Sequence, residues 1–396
     1  MSVTINRTVD LLIAGAGPAG LSAADAAARR GISVAVLEQN HEIGSPIRTS
    51  GGSFIDELER LGIPARLYHP ISRLRFCTPN NQASYDYAPP RLCVIDVRGV
   101  FQFLAARAIE AGARIHLATR AASPVVDKGF VTGLRTGAGV FSSRMVIDAT
   151  GYRSAILKQA GLDPGIRRFG VGAEYDLYAP HCDEREALLI AGSHFAPSGY
   201  GWVFPWGRHR VRVGVGIIHP DSREKPDGYL DRLMSNLHRF GVNVTGAQPV
   251  EHHTGLIPSE CFAAKFAGDG ILGVGDAAGH ASSLVGEGIR WAMYAGKMAG
   301  EVAAEAIEGG DVSRMSLAAF ERRWIKRYGK DLRLAHKLNQ RLAGWDDRKW
   351  DERLEVLKLL TPDQFIEALK TNLTGGWLLR FVASNPRALA GVAGLL

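Results

Sequence analysis

The glycine spacing Gly15-x-Gly17-x-x-Gly20 constrains this chain more than any other feature of its sequence. It falls between an apolar run, 10–15 (DLLIAG), and an Ala-rich run, 18–30 (PAGLSAADAAARR). The first predicts a short buried strand and the second a helix, with Pro18 in the first turn, where proline is tolerated. Residues 33–37 (SVAVL) predict a second buried strand. In such a β-α-β unit the first glycine permits the tight bend. The second lets the backbone approach a pyrophosphate, and the third lets helix and strand pack closely. The helix start, with Pro18 and Ala19, offers free N–H groups and a partial positive charge to phosphates. Glu38 ends the second strand, where a carboxylate accepts hydrogen bonds from ribose hydroxyls and repels a 2′-phosphate. The spacing therefore predicts a dinucleotide site that does not suit NADP.

The rest of the chain is consistent with an ordinary folded protein. Its 396 residues are 46% hydrophobic and 22% charged, enough for a full core and for two domains or one domain with a large insertion. The net charge of +7 suits a solubilising charge, the favoured reading, or attraction to an anionic partner such as a phosphorylated substrate or an acidic membrane face; no nucleic-acid module is expected, since no Lys/Arg run is interleaved with aromatics. Cys77, Cys93, Cys182 and Cys261 show no CxxC spacing, so no metal site is expected. Their scatter suits free thiols in a reducing cytoplasm. The start, MSVTINRTVD, has no apolar signal core, and no apolar stretch is long enough to span a bilayer. A helix is expected over 53–61, a hairpin from Arg73 to Tyr87 turning at Pro79-Asn80-Asn81, and an amphipathic helix over 97–111. Residues 169–258 are strand-rich and aromatic, with a helix near 226–239. They predict an inserted sheet roofing a substrate cavity.

Two later motifs choose the dinucleotide. Asp148 to Ser154 (DATGYRS, with Gly151) and Leu272 to His280 (LGVGDAAGH, with Gly275 and Asp276) each follow a predicted strand. In this order they resemble the fingerprint of the p-hydroxybenzoate hydroxylase-like flavoprotein superfamily. The resemblance implies FAD, with Asp276 at its ribityl-pyrophosphate region and Arg48 and Arg98 near the cofactor. In Leu284 to Met293 (LVGEGIRWAM), Gly286 and Gly288 let the backbone approach the isoalloxazine. The helix starting at Ile289 would stabilise the reduced ring's negative charge.

Ser198 to Ile217 (SGYGWVFPWGRHRVRVGVGI) carries Tyr200-x-Trp202-x-Phe204-Pro205. Alternation on a strand puts Tyr200, Trp202 and Phe204 on one face, an aromatic wall for a long apolar or planar substrate. With GAGPAG, the turn Arg48 to Gly52, the VGVG strand, GDAAGH and GEGIRWAM, this segment resembles the geranylgeranyl reductase family. The resemblance implies saturation of an isoprenoid C=C bond by hydride from reduced flavin, and Tyr200, Trp202, Phe204 and Pro205 at the substrate. Tyr200 and His280 are the candidate proton donors by chemistry alone. Many family members carry a cysteine in the turn that reads Arg48-Thr49-Ser50-Gly51-Gly52 here, so a thiol role is not carried over. The competing readings are an FAD-dependent aromatic monooxygenase and a flavin-dependent halogenase. The halogenase is disfavoured because no lysine occurs between Asp10 and Ile95.

The expected fold is α/β: a Rossmann-like FAD-binding domain (1–70, 90–165 and 266–310), an inserted antiparallel sheet domain (71–89 and 166–265), and a helical C-terminal region (311–396). With no second G-x-G-x-x-G in a β-α-β setting, the electron donor would be a transiently bound NAD(P)H or a reduced redox partner protein. Residues 375–396, with Arg380 and Arg387, suit either a membrane-surface segment or a helix capping the substrate domain. A cytoplasmic protein, peripheral on a membrane if the substrate is a lipid, is the expected setting.

Overall fold

The apolar runs at the start become strands Thr8–Ala14 and Val34–Leu37, almost wholly buried, joined by the helix Pro18–Ala28. The structure is a computed structural model describing residues 8–373, 376 and 377. The two strands pair in parallel, Leu11 opposite Val34. Gly139–Asp148 runs parallel on the other side of the first strand, and Ile271–Gly273 runs parallel beyond it. Residues far apart in sequence thus end side by side in one eight-stranded sheet. Gly15, Glu38 and Gly275 follow, and Asp148 forms, the carboxyl ends of its parallel strands, where open α/β sheets bind ligands.

The alanines of Pro18–Ala28 serve close packing. The long helix Ile289–Glu308 lies against it through Gly296 and Gly300. A Cβ on Gly296 would stand 2.2 Å from the Ala19 carbonyl oxygen, and one on Gly300 2.3 Å from that of Ala23. Neither helix can give without moving backbone. Gly296→Val is expected to cost about 3 kcal/mol, the upper end of ordinary overpacking, read as a lowered urea midpoint.

A seven-stranded sheet has the order Gln248–Pro258, Phe169–Tyr178, Arg210–His219, Tyr200–Gly207, Glu186–Ile190, Arg73–Cys77, Gln82–Asp86. It unites the expected hairpin with the strand-rich insertion. The sheet is antiparallel as expected apart from one pair, Glu186–Ile190 running parallel to Arg73–Cys77. The hairpin enters from an earlier part of the chain, so no short turn dictates its direction. A three-stranded sheet that the sequence did not suggest links Gly52–Phe54, Leu92–Ile95 and Tyr68–Ile71. It shortens the helix expected over 53–61 to Ile55–Arg60.

The C-terminal helices Arg314–Ala343, Asp347–Leu357 and Pro362–Leu369 cover the cavity side. Phe365 stacks on Tyr85 at 4.0 Å, and the Tyr85 hydroxyl donates to the Leu357 carbonyl at 2.6 Å, fastening the last helices to the hairpin. Among the described residues no helix is long and apolar enough to cross a membrane. The segment 375–396, apart from Gly376 and Trp377, lies outside the described residues.

Candidate functional site

The three glycines of the opening turn differ in what surrounds them. Gly15 has φ +104°, and a Cβ there would stand 2.4 Å from the Ala149 carbonyl oxygen. A Cβ on Gly20 would stand 2.1 Å from the Gly15 carbonyl oxygen, so this glycine serves packing. Around Gly17 nothing lies within 4 Å of the Cβ position. It is the N-cap of Pro18–Ala28 and supplies no side-chain cap. The first-turn N–H groups are left for water or a ligand. Gly15, Gly17, Pro18 and Ala19 line a cavity of about 970 Å³.

Glu38 lines the same cavity and is buried. Its Oε2 accepts from the Ala16 N–H and its Oε1 from the Asn40 N–H, both at 2.9 Å. The carboxylate braces the glycine turn and keeps lone pairs for ligand hydroxyls. Glu38→Ala removes both functions. Loss of charge-assisted hydrogen bonds worth about 1.5–3 kcal/mol should weaken dinucleotide binding about 10- to 100-fold, measured by flavin fluorescence titration.

The second glycine bend meets the first. A Cβ on Gly275, which has φ +66°, would stand 2.8 Å from the Ala19 Cβ. Asp276 lines the cavity, and its carboxylate accepts no hydrogen bond from any described residue. Burial pushes it up to about 7. A half-buried carboxylate that faces the cavity and meets no donor among the described residues suits a hydroxyl-bearing ligand. A Cβ on Gly288 would stand 3.5 Å from Asp276 Oδ1, so the helix start at Ile289 closes on the same place. Gly151, Gly286, Gly288 and Ile289 all line the cavity. So does Arg48, with an exposed side chain.

The aromatic wall stands as the alternation required. Tyr200 and Trp202 have ring centroids 5.8 Å apart and Trp202 and Phe204 6.3 Å apart, and all three line the cavity. The sequence did not reveal what lies under them. Gly214 pairs with Trp202 and Gly216 with Tyr200 across the sheet. Cβ atoms on Gly214, Gly216 and Gly172 would stand 2.3, 3.3 and 3.5 Å from the indole. The VGVG strand is therefore a glycine floor on which Trp202 lies. Its indole N–H donates to Glu174 Oε2 at 3.0 Å.

Four expectations are corrected here. Pro205 is buried and absent from the cavity lining, because the alternation that exposes Phe204 to the cavity turns Pro205 to the other face. Arg98 does not line the cavity; it follows the N-cap Asp96 and faces Glu42 at 3.6 Å. His280 is fully buried, packed among Phe266, Phe320 and Trp324, with its ordinary value lowered by burial to about 3. It is neutral and outside the cavity, so it is no proton donor. The Tyr200 hydroxyl donates to the Val285 carbonyl at 2.6 Å, and burial raises its pKa further. That proton ties the wall to the loop before Gly286 and is not available for transfer.

The chain matches the family model described as FAD binding domain over residues 8–323. It is 34% identical over 360 residues to digeranylgeranylglycerophospholipid reductase 2 of Methanothermobacter thermautotrophicus, covering 88% of this chain and 91% of that one. It is 33% identical over 379 residues to the protein of the same name in Methanopyrus kandleri, covering 91% and 95%. The chain belongs to the geranylgeranyl reductase family of FAD-dependent oxidoreductases. A crystal structure of a geranylgeranyl bacteriochlorophyll reductase-like protein from Thermoplasma acidophilum superposes with a TM-score of 0.86, at 25% identity, over 98% of this chain and 99% of that one. A flavin-dependent brominase shares the fold alone, at 18% identity and a TM-score of 0.66.

As a geranylgeranyl reductase family member the chain is an FAD-dependent oxidoreductase, and the orphan carboxylate of Asp276 and the open space at Gly17 fit that cofactor. The family's frequent turn cysteine is missing from Arg48–Gly52. Cys93 lines the cavity from the strand paired with Gly52–Phe54, but burial pushes its thiol well up and leaves it unreactive.

Proposed function

We propose that this protein saturates carbon–carbon double bonds of a prenyl chain carried on a lipid. The observation that carries this reading is one continuous cavity of about 970 Å³. It runs from the glycine turn past Asp276 and Gly286 to the aromatic wall, and on among Leu74, Phe76, Trp350, Phe365 and Leu369. A polar, glycine-lined end suits a dinucleotide, and a long apolar end suits a prenyl chain. The names of the archaeal relatives support a lipid substrate.

When bound and reduced, FAD supplies a hydride. The protein's own residues supply the rest. Gly15, Gly17, Pro18 and Ala19 hold the pyrophosphate, with Gly20 packing behind them. Glu38 takes the adenosine ribose, Asp276 the ribityl-pyrophosphate region, and Arg48 a phosphate. Gly286, Gly288 and Ile289 would border the ring and Gly151 another part of the cofactor, and the positive helix start at Ile289 would favour negative charge on the reduced ring. Tyr200, Trp202 and Phe204 align the alkene and exclude water. An unactivated alkene accepts hydride poorly, so alignment must contribute much of the catalysis.

In this reading residues 1–70, 90–165 and 266–310 form the cofactor domain and 71–89 and 166–265 the substrate domain, and the helices Arg314–Ala343, Asp347–Leu357 and Pro362–Leu369 of the C-terminal region close the apolar end. Electrons come from NAD(P)H or a reduced protein. A lipid substrate brings the protein to a membrane face, with 375–396 as the contacting segment.

The test is product identity. The purified protein, reduced with dithionite, is given a geranylgeranylated glycerolipid and, separately, aromatic acids in air. Mass spectrometry should find the lipid heavier by two hydrogens for each bond reduced. Hydroxylated aromatic product with unaltered lipid would establish the monooxygenase reading instead.

A further inference from the structure

Saturating an alkene takes a proton as well as a hydride, and neither Tyr200 nor His280 can give it. The sheet under the aromatic wall carries a different acid. Glu174 stands opposite His253 in the register of neighbouring strands, and opposite Gly214 on its other side. Both side chains line the cavity, and both are buried, at 2% and 5% exposure. His253 Nδ1 lies 2.8 Å from Glu174 Oε1, and His253 Nε2 lies 2.9 Å from Glu251 Oε2. Glu174 Oε2 accepts the Trp202 indole N–H and keeps a second lone pair. The Glu251 side chain is 37% exposed. An unbroken line of hydrogen-bonding groups therefore runs from solvent to the substrate wall.

We infer that Glu174 is the acid that protonates the substrate carbon, and that His253 and Glu251 return its proton from solvent; this rests on the alkene-reductase reading. The His253 imidazolium gives its Nδ1 proton to the Glu174 carboxylate, and the Glu174 carboxyl so formed gives that proton up to the new C–H bond. Its former O–H electrons stay on the carboxylate. The other alkene carbon gains hydride, so the substrate is reduced by two electrons and the cofactor oxidised by two. The neutral imidazole, left with its Nε2 proton on Glu251 Oε2, regains the lost proton from solvent along Glu251. A buried ion cluster serving structure alone would be replaceable by apolar side chains at little cost, and it would not need a path to solvent.

Burial opposes charge on His253, but its bonds to Glu174 and Glu251 outweigh this and raise its pKa. Glu251 is lowered, first by His253. The other charges facing the line are Arg212, which opposes the imidazolium, Arg210 at 3.6 Å from Glu251, Arg98, which also lowers Glu251, and Asp176, which holds Arg210 and Arg212. With the folded pKa raised, the relay is charged below that value and loses its proton as pH rises through it. Turnover should fall on the alkaline side.

The test uses the FAD-loaded protein, reduced anaerobically, with a geranylgeranylated glycerolipid in single-turnover mixing. Glu174→Gln is isosteric and keeps an acceptor for Trp202. It should slow alkene saturation by about 10²- to 10⁴-fold while FAD content and visible spectrum stay those of the parent. Glu251→Gln, at the partly exposed end, removes one of the two carboxylates that raise His253 and should move the alkaline fall to lower pH. Nitrogen NMR of the His253 imidazole is independent of turnover: its titration should move to lower pH in Glu174→Gln. Parent-like rates and pH profile in Glu174→Gln would overturn the relay alone, as would an unmoved imidazole titration. A parent protein that binds the lipid but never reduces it would overturn the reductase reading and the relay with it.

Discussion

A Gly17→Asp protein is expected to fold at least as stably as its parent and to lose FAD. The Cβ position of Gly17 meets no atom within 4 Å, and its backbone, at φ −77° and ψ 179°, is the extended geometry of a helix N-cap. Aspartate is among the preferred N-caps, worth up to about 1 kcal/mol over poorer residues. The protein itself therefore offers no objection. The only thing a carboxylate there would meet is the pyrophosphate, in both volume and charge. FAD affinity should fall about a hundredfold or more, since setting like charges against each other at an interface costs several kcal/mol. Gly15→Val and Gly20→Val make the contrast. They collide with the backbone of Ala149 and Gly15, so stability and FAD should be lost together. Thermal unfolding of the apoproteins, with FAD titration followed by fluorescence, reads both quantities. A Gly17→Asp protein that purifies yellow would contradict the placement of the pyrophosphate.

Gly214→Ala is expected to do the reverse: it keeps FAD and loses turnover. The added methyl would stand 2.3 Å from Trp202 Cζ2 and 2.7 Å from the Glu174 Cβ. The neighbouring Val213 and Val215 are fully buried, so the strand cannot retreat. The indole must lift, and its bond to Glu174 must lengthen or break. A misplacement of about 1 Å near reacting groups can cost about a hundredfold in rate, and that is the loss expected in kcat/KM. The glycine turn and Asp276 are untouched, so the flavin spectrum and FAD affinity should be the parent's. Gly172→Ala would stand 3.5 Å from the same ring, an ordinary contact, and should cost far less. Equal losses in the two variants would show that the glycine floor does not position Trp202.

The cofactor end could be read in the sequence because it is a local feature. The bend at Gly15, the packing at Gly20 and the carboxylate at Glu38 belong to one β-α-β unit, and Gly275-Asp276 follows its own strand. Spacing alone sets their geometry, and sheet pairing then brings them together. The aromatic wall was legible for the same reason, since alternation on one strand decides which side chains share a face. Legibility ended where the answer depends on register between strands. Glu174 and His253 sit on different strands, each an unremarkable polar residue, and only their pairing makes them partners. The glycine floor likewise needs Gly172, Gly214 and Trp202 from three strands. His280 misled because GDAAGH looks continuous. The left-handed bend at Gly279, φ +72°, instead precedes a ring packed into the aromatic core. Pro205 and Arg98 were carried by resemblance to motifs, and their orientation is settled by strand alternation and by the Asp96 cap.

The most direct test of the account is anaerobic reoxidation of the bound flavin. Protein reduced with one equivalent of dithionite is mixed with a geranylgeranylated glycerolipid in the strict absence of oxygen, and the oxidised-flavin absorbance is followed. The yellow colour should return in step with alkene loss. Flavin that stays bleached with the lipid bound, and reoxidises only when oxygen is admitted, would contradict it.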